Sequence, residues 1–183
     1  MLAELPPTQY FFSLVKYLKQ HVRKSQTMPK KPNIELIAAK KKDLATVLDL
    51  VLVYFKKNGR KADRNLVQHA LFNLLKKDST LGAVWLVDSD NKAVGFVIAT
   101  YGYSFPFGGI DASIREFYLP NDVDSEETRS QIFSDIKKIL RKNGVKALHL
   151  YQASNAKGKT EFAIKKGNFD DQTHILRSSC VLD

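Results

Sequence analysis

Glu116 is the carboxylate in this chain best placed for acid–base chemistry. It lies in the stretch Ala112–Leu119, which is predicted to be a strand and is followed by Pro120. A carboxylate beside a substrate can accept a proton from it and so act as a general base. A carboxylate on a strand is otherwise usually an outward-facing surface group, and that plainer interpretation stays open.

The chain continues from this strand into a helix predicted over Ser125–Lys142 and then a strand over Val145–Tyr151. Such a crossover joins parallel strands and places the helix N-terminus beside the carboxyl end of the first strand, where ligands of such folds usually bind. The turn is acidic, with Asp122, Asp124, Glu126 and Glu127. One such carboxylate at ~4 Å from a negatively charged ligand group would cost on the order of 4 kcal/mol. The same residues also suit a helix that binds nothing, with Asp124 or Ser125 as its N-cap.

The elements that must position this passage follow from apolar periodicity. Ile34–Ala39 is predicted to be a strand, and Asp43 to cap a helix that ends at Asn58-Gly59. Asp63 is predicted to cap a second helix. The apolar stripe of the first helix is Leu44, Val47, Leu48, Val51, Leu52 and Phe55, and that of the second is Val67, Ala70, Leu71, Leu74 and Leu75.

A hairpin of two strands, Ala83–Val87 and Ala93–Tyr101, is predicted next, and Gly95 inside it suggests a bulge or close packing. The following segment, Gly102–Gly109, is predicted to be an aromatic loop. Its side chains and the residue before it either wall a substrate pocket or cap one end of the core: Tyr101, Tyr103, Phe105 and Phe107. We expect any acceptor pocket to be bounded by this loop and the two helices.

Composition limits the class of protein. With 183 residues, 44% of them hydrophobic, we expect one globular domain, residues 34–183, preceded by an extension, residues 1–33. No apolar run approaches the ~20 residues of a transmembrane helix. The single cysteine, Cys180, favours a reducing compartment, so we expect a cytoplasmic protein. The four histidines lack ligand spacing, and we predict no metal site.

The net charge of +10 attracts polyanions in general, and residues 1–33 carry half of it. Within them, Tyr10–Lys24 is predicted to be a basic amphipathic helix that either lies on a membrane or a partner or docks on its own domain, and Ser25–Asn33 is a linker. Nucleic-acid binding by this extension rests on charge alone, because no recognised module accompanies it.

Three passages carry a resemblance to the GNAT acyltransferases, over roughly residues 34–178. Ala39-Lys40-Lys41-Lys42-Asp43 resembles the family's opening Ala-Thr-x-x-Asp. Ala93-Val94-Gly95-Phe96, followed by Ile114-Arg115-Glu116-Phe117-Tyr118-Leu119, is similar to the diamine acetyltransferase branch. Asn155 with Phe162-Ala163-Ile164-Lys165-Lys166-Gly167 resembles the family's Asn and Phe-Tyr-Lys-Arg-Arg-Gly.

The resemblance implies an α/β (α+β) fold, with a mixed sheet of antiparallel strands and a central, splayed parallel pair flanked by helices. It implies an N-acetyltransferase that moves an acyl group from acetyl-CoA to a primary amine of a small molecule or a protein, with a homodimer left open. Glu116 would be the general base. Cofactor contacts would come from Phe117, Tyr118, Leu119, Arg129 and Asn155, and the substrate pocket would include Tyr101 and Tyr103.

Two departures from the family pattern shape this expectation. The family's glycine-rich turn, which binds the pyrophosphate, is replaced by Val123-Asp124-Ser125-Glu126-Glu127-Thr128. The family's tyrosine, which gives a proton to the leaving thiolate, is replaced by Ala163. Arg115 stands where the diamine branch has Glu, and the positive balance opposes a polyamine substrate. The sequence therefore leaves two main hypotheses: an N-acetyltransferase with an atypical, degenerate CoA loop, or a GNAT-like binding or regulatory module that has lost the CoA site.

Overall fold

A computed structural model describes residues 33–77 and 79–150 of the chain. The predicted N-terminal helix and linker lie outside the described residues, as do Asn155 and the motif Phe162–Gly167.

In the described part, five strands form one mixed sheet in the order of the sequence. They are β1 (Ile34–Ala38), β2 (Gly82–Ser89), β3 (Lys92–Ser104), β4 (Gly109–Tyr118) and β5 (Ala147–Leu150). Neighbouring strands are antiparallel except β4 and β5, which are parallel. The expected α+β class, with a parallel pair in a mostly antiparallel sheet, is confirmed.

The predicted aromatic loop, Gly102–Gly109, is shorter than expected, because half of its residues belong to strands: β3 extends to Ser104 and β4 begins at Gly109. The β3–β4 ladder continues to the pair Ser104 and Gly109, which leaves a four-residue turn from Phe105 to Gly108. Backbone pairing extends into this segment because Tyr103 suits a pleated strand as well as a loop.

Helices cover both faces of the sheet. Helices α1 (Leu44–Lys57) and α2 (Arg64–Leu74) pack on one face, and α3 (Glu126–Lys142) packs on the other. The α1 face buries Val47, Leu48, Val51, Leu71, Val84, Leu86, Phe96 and Ile98. The α3 face buries Val87, Val97, Ala99, Ala112, Ile114, Ile132, Phe133, Ile136 and Leu140. The predicted stripes are confirmed except at Ala70, which is exposed.

Helix caps agree with the sequence at two of three positions. The Asp63 carboxylate accepts hydrogen bonds from the backbone N–H groups of Asn65 and Leu66, and the Ser125 hydroxyl accepts one from Thr128. Asp43 occupies the predicted N-cap position of α1, but its carboxylate makes no hydrogen bond to the first turn of that helix. A 3-10 turn, Lys41–Asp43, precedes the helix, and the Asp43 carboxylate bonds back to the N–H of Lys40 at 2.8 Å.

Within residues 33–77 and 79–150, every helix is too short or too polar to cross a membrane. The same ranges hold no group of three or more His, Cys, Asp or Glu side chains arranged to bind a metal ion.

Candidate active site

A bulge at Arg115 determines which way the residues at the end of β4 point. Ile98 of β3 is opposite Glu116, whereas its neighbour Ala99 is opposite Ile114, so Arg115 has no opposite residue. The extra residue reverses the alternation of side chains along β4. Ala112 and Ile114 therefore face α3, while Glu116 and Tyr118 face α1.

Glu116 meets the C-terminal end of α1 through two side chains. The Arg60 Nη1 atom lies 2.8 Å from Glu116 Oε1 and donates a hydrogen bond in this ion pair. The Arg60 side chain is 49% exposed and that of Glu116 is 20% exposed, so the pair sits at the edge of solvent. Burial raises the pKa of Tyr54 to about 12, and its hydrogen bond to Glu116 acts in the same direction.

Aromatic rings pack around Tyr54, next to the ion pair of Arg60 and Glu116. The Tyr54 ring lies 5.7 Å from Phe96, edge to face, and 5.8 Å from Tyr118. The Lys57 Nζ donates a 2.9 Å hydrogen bond to the Tyr118 hydroxyl. These contacts restrain the side chains of Tyr54, Lys57 and Tyr118, so that the charged groups near Glu116 keep a defined spacing.

The end of α1 places Arg60 by a local backbone motif. Gly59 has φ of +66°, its N–H bonds to Lys56 O, and the Arg60 N–H bonds to Phe55 O at 2.9 Å. This is the Schellman pattern of a helix C-terminus. It turns Arg60 back over the helix, where its guanidinium lies 4.0 Å from the centre of the Phe55 ring.

The turn between β4 and α3 contains a second, more buried ion pair. Both Asp124 oxygens accept hydrogen bonds from Arg129, whose Nη2 lies 2.6 Å from Oδ2. The side chains are 6% and 14% exposed, respectively. The Arg129 guanidinium also lies 5.5 Å from the ring centre of Phe117, which in turn packs on Phe133. The pair therefore joins the start of α3 to the end of β4.

The predicted cofactor contacts Phe117, Tyr118 and Leu119 lie together where β4 ends, directly after Glu116. Tyr118 and Leu119 are buried, and Arg129 is next to Phe117. Asn155 lies outside the described residues.

The structure does not bring Tyr101 and Tyr103 to Glu116. Tyr101 packs against the core on the α3 face, where burial raises its pKa. Tyr103 is 73% exposed and opposite Ile110, five residues along β3 from the partner of Glu116, or roughly 17 Å. Phe105 and Phe107 are exposed in the turn. These aromatic residues therefore lie away from Glu116, and their role in walling a substrate pocket or capping the core stays a prediction.

Sequence reasoning missed Tyr54, Lys57 and Arg60. Tyr54 and Lys57 lie in α1 but outside its predicted apolar stripe. One signal was present: the helix end Asn58-Gly59 predicts that the next residue folds back over the last turn. The partner of that residue could not be predicted, because Glu116 lies 56 positions away.

No protein-family model and no curated protein matches the sequence. Solved structures do match. One is an integron cassette protein from the mobile metagenome of Cole Harbour Salt Marsh, with 19% identity, a TM-score of 0.70, and coverage of 81% of this chain and 91% of that one. Another is a possible acetyltransferase from Clostridium difficile 630, with 18% identity, a TM-score of 0.68, and coverage of 82% and 99%.

A third match is an aminoglycoside N-acetyltransferase in complex with CoA. It has 12% identity and a TM-score of 0.67, and the alignment covers 84% of this chain and 99% of that one. At these identities the likeness shows the fold. The chain thus has the fold of GNAT acetyltransferases, as its sequence motifs suggested.

Proposed function

We propose that this protein is an N-acetyltransferase that moves an acetyl group from acetyl-CoA to a primary amine. The observation that carries the proposal is the bulge at Arg115. Because of this bulge, Glu116 lies on the sheet face that meets α1, at a polar site at the edge of solvent, and not in the core on the α3 face. Bulges are over-represented next to active sites, where they re-aim a side chain, as this one does with Glu116. Acetyl-CoA would supply the activated acyl group as its thioester.

The residues around Glu116 suit proton transfer from an ammonium group. Glu116 would accept the proton that the acceptor amine loses, directly or through a water molecule. Tyr54 is a neutral donor that would keep the Glu116 carboxylate in one orientation without adding charge. We therefore assign Glu116 as the general base and Tyr54 as a residue that positions it.

The end of β4 suits the pantetheine arm of acetyl-CoA. Backbone groups along a strand point alternately to its two sides, so half of those between Arg115 and Tyr118 point away from β3. We propose that backbone groups of Phe117, Tyr118 and Leu119 bind the cofactor here, with Asn155 as a further contact.

The acidic turn between β4 and α3 repels a bound phosphate less strongly than its sequence suggests. Asp124 is neutralised by Arg129, and Asp122, Glu126 and Glu127 are exposed. An exposed charge interacts through water, where a contact at 4 Å costs about 1 kcal/mol. Because Arg129 is bonded to Asp124, we assign it the role of holding this turn and cancelling one carboxylate.

A second candidate, a GNAT-like module that does not bind CoA, is favoured by those three exposed carboxylates at the start of α3. Isothermal titration of acetyl-CoA and CoA at low and moderate salt separates the two. We expect micromolar binding that Asn155→Ala weakens, with Glu116→Gln keeping the binding but losing amine turnover. Absence of heat at millimolar ligand would refute the transferase and support the second candidate.

A further inference from the structure

We propose that Arg60 is an anion anchor, and that the acceptor is a small amine bearing a carboxylate or phosphate group a few bonds from its nitrogen. This inference rests on the proposed function for its reaction, but the binding of the acceptor is tested without it.

Arg60 is held at the site rather than extended into solvent. The Schellman turn fixes its backbone, the Phe55 ring lies 4.0 Å beneath its guanidinium, and Glu116 binds one of its nitrogens at 2.8 Å. About half of the side chain is exposed. A guanidinium that is fixed by stacking and still open on one side is a pre-organised site for a carboxylate or phosphate, which its planar fork binds through two hydrogen bonds.

The charge of the surrounding segment favours the same kind of ligand. Residues 56–61 contain four basic side chains and no acidic one: Lys56, Lys57, Arg60 and Lys61. Lys57 donates its hydrogen bond to the Tyr118 hydroxyl, and its ammonium group lies over the Tyr118 ring at the site. An acceptor whose charges are all positive would enter against this field, whereas an anionic group is attracted by it.

The ion pair itself explains why the acceptor should carry both charges. An acceptor with only an ammonium group must displace Arg60 from Glu116 and leave the guanidinium without its carboxylate. An acceptor with an added anionic group binds Arg60 through that group and Glu116 through its ammonium, so two ion pairs replace one. Because the two protein atoms are 2.8 Å apart, the two charges of the acceptor must be close together, as in amino acids and amino phosphates.

The experiment uses acceptors in matched pairs that differ in the anionic group. Glycine, β-alanine and γ-aminobutyrate are each compared with their amides, and O-phosphoethanolamine with ethanolamine, while spermidine represents polyamines. Two readouts are taken with the full chain: CoA thiol release at saturating acetyl-CoA, and calorimetric binding of each acceptor without acetyl-CoA. The variants are Arg60→Gln, Arg60→Lys and, as a matched control, Arg64→Gln, whose arginine pairs with Asp49 at 3.5 Å on the exposed surface.

We expect at least one acceptor that bears an anionic group to exceed its partner without that group in kcat/KM, and in affinity, on the order of 10- to 100-fold, as charge-assisted hydrogen bonds allow. Arg60→Gln should bring that ratio close to one, mainly through KM. Arg60→Lys should restore part of it, and Arg64→Gln should leave it unchanged.

The possible failures are distinguishable. If amines are acetylated with no preference for the anionic members, or if Arg60→Gln keeps the preference, the anchor is refuted and the transferase stands. If an anionic acceptor binds in an Arg60-dependent way but no thiol is released, the anchor stands and the transferase fails. If no acceptor binds or reacts, the anchor is refuted, and the titration of acetyl-CoA alone decides the transferase.

Discussion

Replacing Gly59 with alanine tests whether the end of α1 sets the position of Arg60. Gly59 has φ of +66°, and an added Cβ would meet no heavy atom within 4 Å. The substitution therefore introduces no steric clash. Its cost comes from the left-handed backbone conformation alone, which an L-residue with a Cβ adopts reluctantly.

The magnitude follows from two opposing terms. The left-handed conformation costs alanine about 1–2 kcal/mol, and the reduced freedom of the unfolded chain returns about 0.4–1 kcal/mol. The net loss in free energy of unfolding is on the order of 1 kcal/mol, which lowers the Tm of a chain of this size by about 2–4 °C.

Urea denaturation of four proteins measures this loss: the wild type, Gly59→Ala, Gly59→Asn and Gly108→Ala. Gly108 is a matched control, since its φ is +62° and its Cβ would also meet nothing within 4 Å, but it lies in the β3–β4 turn. We expect both alanine variants to lose similar stability, and Gly59→Asn to lose less because asparagine tolerates this conformation.

The functional readout separates the two glycines. If the helix end positions Arg60, Gly59→Ala should reduce the preference for β-alanine over its amide, while Gly108→Ala should not. A Gly59→Ala protein as stable as the wild type would refute the strain argument. Equal effects of both substitutions on acceptor preference would refute the positional one.

Three further outcomes are expected. Because the folded state raises the pKa of Tyr54 from 10.0 to about 12, it keeps a proton that the unfolded chain loses, so this residue's contribution to stability is complete below pH 10 and declines between about pH 10 and 12. Tyr54→Phe should therefore show a shallower alkaline decline than the wild type in pH-dependent urea titrations, and identical slopes would contradict the assignment. Arg129→Met should cost about 3–5 kcal/mol because Asp124 then lacks the guanidinium; the double variant with Asp124→Leu should regain most of this in the same assay, and a single variant as stable as wild type would disprove it. Ile136→Ala, at a side chain with 0% exposure between α3 and the sheet, should cost about 2–5 kcal/mol in chemical denaturation, and a loss below about 1 kcal/mol would show that the site is loosely packed.

Much of the fold can be predicted from the sequence because its signals are local. Asp63 and Ser125 cap helices through atoms two or three residues away, so the residue types alone indicate the helix starts. Helix α3 repeats its apolar residues at helical spacing and packs as that repeat predicts. Aromatic and β-branched residues mark the strands, although strand ends were less certain, as the extension of β3 to Ser104 shows.

Only the tertiary structure decided what surrounds Glu116. Strict alternation along β4 would place Glu116 on the same face as the buried Ile114, and the bulge at Arg115, which exists only in pairing with β3, places it on the other face. Arg60 and Tyr54 then reach it from a helix far away in the sequence. The residue types alone place a carboxylate near the end of β4. The groups that face it depend on strand register and helix packing, which no local pattern of residues encodes.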